Sequence, residues 1–158
     1  MIYVTVGNFP DGFNELIQIV DNIAKKNSNL MFQAQISNGS YHPKHMKFSP
    51  FFSKEKHLDN INKAKIVISH AGLGTIAEFF ENSNGLLVVY PRKKNVHDQI
   101  ASAKLLNKYY PFLLTYSDDE LNTCLIKNLE NNKSSSFNVN KNKTNAGELI
   151  ANYLFGND

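Results

Sequence analysis

The chain has 158 residues, 42% of them hydrophobic, which is enough to bury one core and sets the expectation of one domain. Its formal net charge is +3 and its basic residues are scattered among acids, so no stripe exists for a nucleic-acid backbone to follow, and nucleic acid is excluded as a partner. The lone cysteine, Cys124, allows no intrachain disulfide, which excludes a secreted disulfide scaffold and fits a reducing cytoplasm.

The opening residues, Met1-Ile2-Tyr3-Val4-Thr5-Val6, lack the basic start and long apolar run of a signal peptide. No stretch approaches the roughly 20 apolar residues that span a bilayer, so work at a membrane requires something else to hold the chain there. Ile2 to Val6 reads as a first buried strand, and Phe13, Leu16, Ile17, Val20 and Ile23 then recur at helical spacing. Leu30 to Ile36 reads as a second strand, Met46 to Phe48 as a short one, and Leu58 with Ile61 as a small helix. Ile66-Val67-Ile68 is the next strand, followed by a helix from about Leu73 to Asn82 and the run Leu86 to Tyr90, ending at Pro91. Val96 to Lys108 continues as helix, Phe112 to Thr115 as a last strand and Ser117 to Glu130 as a further helix.

Strands separated by helices force crossover connections, so the fold class is α/β, a mainly parallel sheet with helices on both faces. In such sheets ligands bind beyond the carboxyl ends of the strands, which directs attention to the loops after Val6, Ile36, Ser69 and Tyr90. The main domain is expected over 1–132. An Asn-, Lys- and Ser-rich stretch, 133–143, is too polar to pack and reads as a linker. Ala146, Leu149, Ile150, Tyr153 and Leu154 mark one face of a terminal amphipathic helix, 144–158, which covers either its own domain or a partner.

The most informative segment, Ser69-His70-Ala71-Gly72-Leu73-Gly74-Thr75-Ile76-Ala77-Glu78, follows a buried strand and opens a helix. Gly72 and Gly74 remove side chains so that a ligand reaches the backbone, and the helix start favours phosphate. Thr75 and Glu78 have a purely structural alternative as a capping box, and His70 has one as a hydrogen-bonded histidine at a strand end. A second cluster, Pro91-Arg92-Lys93-Lys94-Asn95-Val96-His97-Asp98-Gln99, falls on the same rim. Asp98 and Gln99 suit the vicinal hydroxyls of a sugar, with a helix cap as the alternative for Asp98. Arg92 suits a diphosphate and ranks above Lys93 and Lys94, the alternative being a solvated charged loop. Other chemistries lack their motifs: there is no P-loop, no Gly-x-Gly-x-x-Gly after the first strand and no Gly-x-Ser-x-Gly elbow. His42, His45 and His57 have neither cysteine partners nor zinc-ligand spacing, so no metal site is expected.

Together these residues resemble the C-terminal, donor-binding domain of family 28 glycosyltransferases, whose fold is the two-Rossmann-domain GT-B arrangement. The resemblance covers most of the chain. Val4-Thr5-Val6-Gly7 is similar to the start of the small catalytic subunits of split UDP-sugar transferases, among them the dolichol-linked N-acetylglucosaminyltransferase and bacterial exopolysaccharide and capsule enzymes. The segment from Ile68 through Glu78, then Pro91 and Asp98-Gln99, is the more specific part.

The resemblance implies a Rossmann-like half of a GT-B enzyme, with Gly7, Asn8, Gly72, Gly74 and Thr75 near the diphosphate of a UDP-sugar donor. His70 and Ala71 belong to the same donor segment. It implies Glu78 at the ribose, Phe51 and Phe52 at the uracil, where core aromatics are the alternative, and His97, Asp98 and Gln99 at the donor sugar. Related bacterial subunits often read Asn-Asp-His-Gln where this chain reads Val96-His97-Asp98-Gln99, so the side chain that reaches the sugar stays open. No metal and no cofactor are implied, since backbone donors take the place of a magnesium ion. The catalytic base is implied on a partner, a membrane-anchored subunit that binds a lipid-linked saccharide acceptor. The expected location is cytoplasmic, peripheral at the inner face of the membrane through that partner. Two other functions compete: a non-catalytic sugar-nucleotide-binding module that regulates a partner transferase, and a stand-alone epimerase, for which one domain is too little.

Overall fold

In a computed structural model of the chain, residues 1–92 and 99–131 are described, and the terminal segment together with 93–98 lies outside them. The apolar runs form six strands: β1 (Ile2–Thr5), β2 (Phe32–Gln35), β3 (Lys47–Ser49), β4 (Ile66–Ser69), β5 (Leu86–Val89) and β6 (Leu113–Leu114). The helices between them are α1 (Asn14–Lys26), α2 (Lys54–Lys63), α3 (Leu73–Asn82), α4 (Gln99–Leu106) and α5 (Asp118–Asn131).

Every pairing is parallel, in the order β3-β2-β1-β4-β5-β6. The expected α/β class, with one parallel sheet and helices on both faces, is thus observed, in the strand order of a doubly wound nucleotide-binding sheet. Strand residues alternate between two cores. Ile2, Val4, Ile66, Ile68 and Val88 pack against α1 and α5 through Leu16, Ile17, Val20, Leu121 and Leu125. Tyr3, Val67, Leu87 and Val89 pack on the other side against Ile61, Ile76, Phe79, Ala103 and Leu106 of α2, α3 and α4. Because helices cover both faces, β1, β4 and β5 are apolar almost throughout rather than alternating with polar residues.

The strands are shorter than their apolar runs. Leu30 belongs to a turn, its amide donating to Asn27 O at 2.9 Å, so β2 starts at Phe32 rather than at Leu30. The described helix after Pro91 ends at Leu106, where the amides of Lys108 and Tyr109 donate to Leu105 and Leu106 in a closing turn. Sheet order reverses direction between β1 and β4, whose ends are in register at Thr5 and Ser69. The chain leaves these neighbouring strands toward opposite faces, which opens a crevice beyond their carboxyl ends.

Candidate donor-binding cleft

A cleft of about 390 Å³ occupies that crevice. Gly7 and Asn8 from the loop after β1, and His70, Gly72, Gly74, Thr75 and Glu78 from the turn into α3, line it as expected from the sequence. Phe52 joins them from the loop after β3. Three further lining residues, Gln35, Lys54 and His57, escaped the sequence reading.

The floor is built around the His70 imidazole. Gly7 sits at a φ of 63°, in the left-handed region that favours glycine, and its amide donates to Thr5 Oγ1 at 3.1 Å. A Cβ on Gly7 would stand 2.7 Å from His70 Cε1, and one on Gly72 would stand 2.3 Å from His70 Nε2. The ring is therefore wedged between two chain segments that must both lack side chains. Burial pushes its pKa down to about 4, the Arg92 cation adding to the effect, so His70 is neutral at pH 7. Its Nδ1 is buried without a hydrogen-bond partner.

Helix α3 starts from Gly72 as its N-cap, and no side chain caps it. The capping-box alternative for Thr75 and Glu78 is overturned. Thr75 lies in the third position of the helix, and the Glu78 carboxylate faces α2, where Oε2 accepts from His57 Nε2 at 3.1 Å and Oε1 pairs with Lys54. The first-turn amides of α3, uncapped by side chains, and the helix dipole thus face the cleft as an anion-receptive end. Gly74 has no protein atom within 4 Å of its would-be Cβ, so the space beside its backbone is empty.

Gln35, at the end of β2, ties the rim together. Its Nε2 donates to Gly7 O at 3.2 Å and its Oε1 accepts from the Phe52 amide at 3.1 Å. Behind Glu78, His57 Nδ1 lies 2.8 Å from the Tyr3 hydroxyl. Burial lowers the His57 pKa despite the neighbouring carboxylate, so its neutral form donates from Nε2 to Glu78 and accepts the Tyr3 hydroxyl at Nδ1.

The second rim is described only in part. The Arg92 guanidinium lies over the Phe9 ring at 4.7 Å, and Phe9 meets His70 edge-on at 6.4 Å. Gln99 Oε1 accepts from the Arg92 amide at 3.1 Å, closing the loop between β5 and α4. Lys93, Lys94, His97 and Asp98 lie outside the described residues. Of the described residues of the expected site, the structure does not bring Ala71, Phe51, Arg92 or Gln99 into the cleft lining. Ala71 is buried in the core beneath α3, and Phe51 is 46% exposed with its carbonyl accepting from Ser49 Oγ. Phe52 is half-buried, its ring 6.3 Å from Tyr3, so only one of the two adjacent phenylalanines faces inward. His57 had a signal in the sequence: with Asn60, Ile61 and Ala64 it forms one helical face, and all four are buried. Gln35 is a polar residue ending an otherwise apolar strand, on the carboxyl side where sites form.

A doubly wound sheet with an anion-receptive helix start at its switch point is the class of domain that holds nucleotide ligands. Residues 1–152 match the glycosyltransferase family 28 C-terminal domain, and the chain belongs to that family. Its fold matches one part of GT-B glycosyltransferases. The glycotransferase of kitacinnamycin aligns with a TM-score of 0.59 at 13% identity, over 80% of this chain and 34% of that enzyme. MurG from Acinetobacter baumannii aligns with a TM-score of 0.56 at 19% identity, over 83% of this chain and 42% of that protein. The spinosyn forosaminyltransferase SpnP gives 0.52 at 13% identity, over 81% and 35%. The chain therefore spans less than half the length of these proteins. Among curated proteins, none matches it.

Proposed function

We propose that this chain is the UDP-sugar-binding catalytic subunit of a two-component glycosyltransferase that moves a hexose or N-acetylhexosamine onto a lipid-linked saccharide. One observation carries the reading: Gly7, Gly72, Gly74, Thr75 and Glu78, from two distant segments, line one cleft at the sheet's switch point. The uncapped start of α3 and the loop at Gly7 and Asn8 receive the diphosphate. Glu78 receives the ribose hydroxyls, and the backbone beside Phe52 receives the uracil. His97, Asp98 and Gln99 hold the donor sugar, and Arg92 adds positive charge beside the leaving group.

The reaction is displacement at the anomeric carbon. An acceptor hydroxyl forms the new glycosidic bond, the bond to the β-phosphate oxygen breaks, UDP leaves with the electron pair, and the hydroxyl proton passes to a base on the partner. Negative charge growing on UDP is met by amides already oriented at the helix start, so no reorganisation is needed during the step. We assign the acceptor half to a membrane-anchored subunit, in line with the resemblance of Val4-Thr5-Val6-Gly7 to the small subunits of split transferases. No described helix is long and apolar enough to cross a membrane. We assign attachment at the cytoplasmic face to that partner. The domain is assigned to 1–132, the linker to 133–143 and the docking segment to 144–158.

Calorimetric titration with UDP, UDP-glucose, UDP-galactose, UDP-N-acetylglucosamine and GDP-mannose tests the reading. Uridine-selective binding, weakened by Glu78→Ala, is the expected result. Absence of binding with the chain alone and with an acceptor subunit added would overturn it. Loss of residues 144–158 should abolish co-purification with that subunit; unchanged co-purification removes the docking assignment.

A further inference from the structure

Glu78 is held from behind by a chain of buried groups. The Tyr3 ring is fully buried on the central strand β1, and His57 is 8% exposed on the inner side of α2. The Tyr3 hydroxyl lies 2.8 Å from His57 Nδ1, and His57 Nε2 lies 3.1 Å from Glu78 Oε2. The two rings meet edge-on at 5.6 Å. An imidazole engaged at both nitrogens cannot turn without breaking a hydrogen bond, so Oε2 is referenced to the sheet itself. The other oxygen, Oε1, pairs with Lys54, whose side chain is 67% exposed. An exposed lysine holds its partner weakly and yields to a ligand hydroxyl.

We propose that His57, held by Tyr3, is a positioning residue that fixes the Glu78 carboxylate and thereby makes the cleft select ribonucleotide over 2′-deoxyribonucleotide donors. The inference rests on the reading of Glu78 as the ribose ligand. Selection for a hydroxyl is strongest when its partner is already in place, because no ordering cost then offsets the bond. A carboxylate free to swing must be ordered to meet the 2′-hydroxyl, which cancels part of the gain, and discriminates little. One fixed through His57 needs only to exchange the exposed Lys54 for the hydroxyl at Oε1, and discriminates more. A residue that only fastened α2 to α3 would weaken both nucleotides alike.

The test is titration of the full chain with UDP and 2′-deoxy-UDP, in the wild type and in Glu78→Ala, His57→Phe, His57→Gln and Tyr3→Phe. The wild type should prefer UDP by about tenfold or more, the scale of a hydrogen bond to a charged group. His57→Phe should bring the ratio toward one, chiefly by weakening UDP. His57→Gln, which keeps an N–H donor, should retain most of the preference, and Tyr3→Phe should lie between. Equal weakening of both nucleotides by His57→Phe overturns the proposal. If Glu78→Ala erases the preference while His57→Phe and Tyr3→Phe keep it, only the positioning role falls. If the wild type binds neither nucleotide alone and with an acceptor subunit added, or Glu78→Ala keeps the preference, the ribose reading falls and takes this inference with it. Should His57→Phe not fold, Tyr3→Phe, which deletes one hydroxyl, decides by the same criterion.

Discussion

A Cβ placed on Gly72 would stand 2.3 Å from Nε2 of His70, two residues earlier in the chain. Gly7 closes on the same Cε1–Nε2 edge of the imidazole, where a Cβ would stand 2.7 Å from Cε1. His70 is thus a wedge that spaces the loop after β1 from the start of α3, and the cleft owes its width to that spacing.

Gly72→Ala should destabilise the protein by about 1–3 kcal/mol, the usual cost of overpacking a filled site. It should also weaken UDP binding. A double-mutant cycle with His70→Ala, followed by urea denaturation, checks the mechanism. Relief of the Gly72→Ala penalty in the double variant supports the wedge; additive penalties contradict it.

Gly74→Ala should act in the opposite direction on stability. The space beside Gly74 is empty and the residue is helical, so alanine should stabilise the ligand-free protein by about 0.5–1 kcal/mol. The added methyl would occupy the route by which a diphosphate approaches the helix start, so UDP affinity should drop. Thermal melting and calorimetry on one sample measure both. Tighter or unchanged UDP binding would remove the diphosphate from this position.

His70 makes stability depend on pH. An unfolded imidazole gains its proton near pH 6.5, whereas the buried one does so only at about 4. Between those values the unfolded chain binds the additional proton, so stability is full above pH 6.5 and falls as pH drops toward 4. The loss amounts to roughly 3 kcal/mol at about 1.4 kcal/mol per pH unit. His57, also depressed by burial, acts in the same direction, so His70→Gln should reduce the slope without abolishing it. Denaturation midpoints across this pH range give the slopes, and equal slopes in variant and wild type would contradict the assignment.

Arg92→Lys should be a poor replacement. The planar guanidinium lies 4.7 Å from the Phe9 ring centroid and 5.6 Å from that of Phe13, and a flexible ammonium neither stacks as well nor offers a fork to a diphosphate. UDP affinity is expected to fall about tenfold, in line with the loss of one charge-assisted bond. Wild-type affinity in Arg92→Lys would show that only net charge matters there.

Local pattern carries far in this chain, because strands and helices are written in spacings of two and of three to four residues. The runs Ile66-Val67-Ile68 and Leu73 to Asn82 are legible alone, and their alternation dictates a parallel sheet with its ligand edge at the carboxyl ends. Gly72 and Gly74, after a strand and before a helix, mark that edge without any knowledge of contacts. What no spacing reveals is which distant side chains meet. Thr-x-x-Glu reads alone as a capping box or as half of a ribose site; the capping box falls because α3 starts from Gly72, and Glu78 meets His57 of α2 across 21 residues of sequence. Likewise Phe52 turns inward and Phe51 outward because Gln35, from another strand, takes the Phe52 amide. The sequence by itself determined the elements, their order and the edge where the cleft opens, since those follow from neighbours along the chain. Only the tertiary structure decided the wedge at His70, the anchoring of Glu78 and the choice between two phenylalanines, because parallel pairing through long crossovers joins residues whose separation no local periodicity encodes.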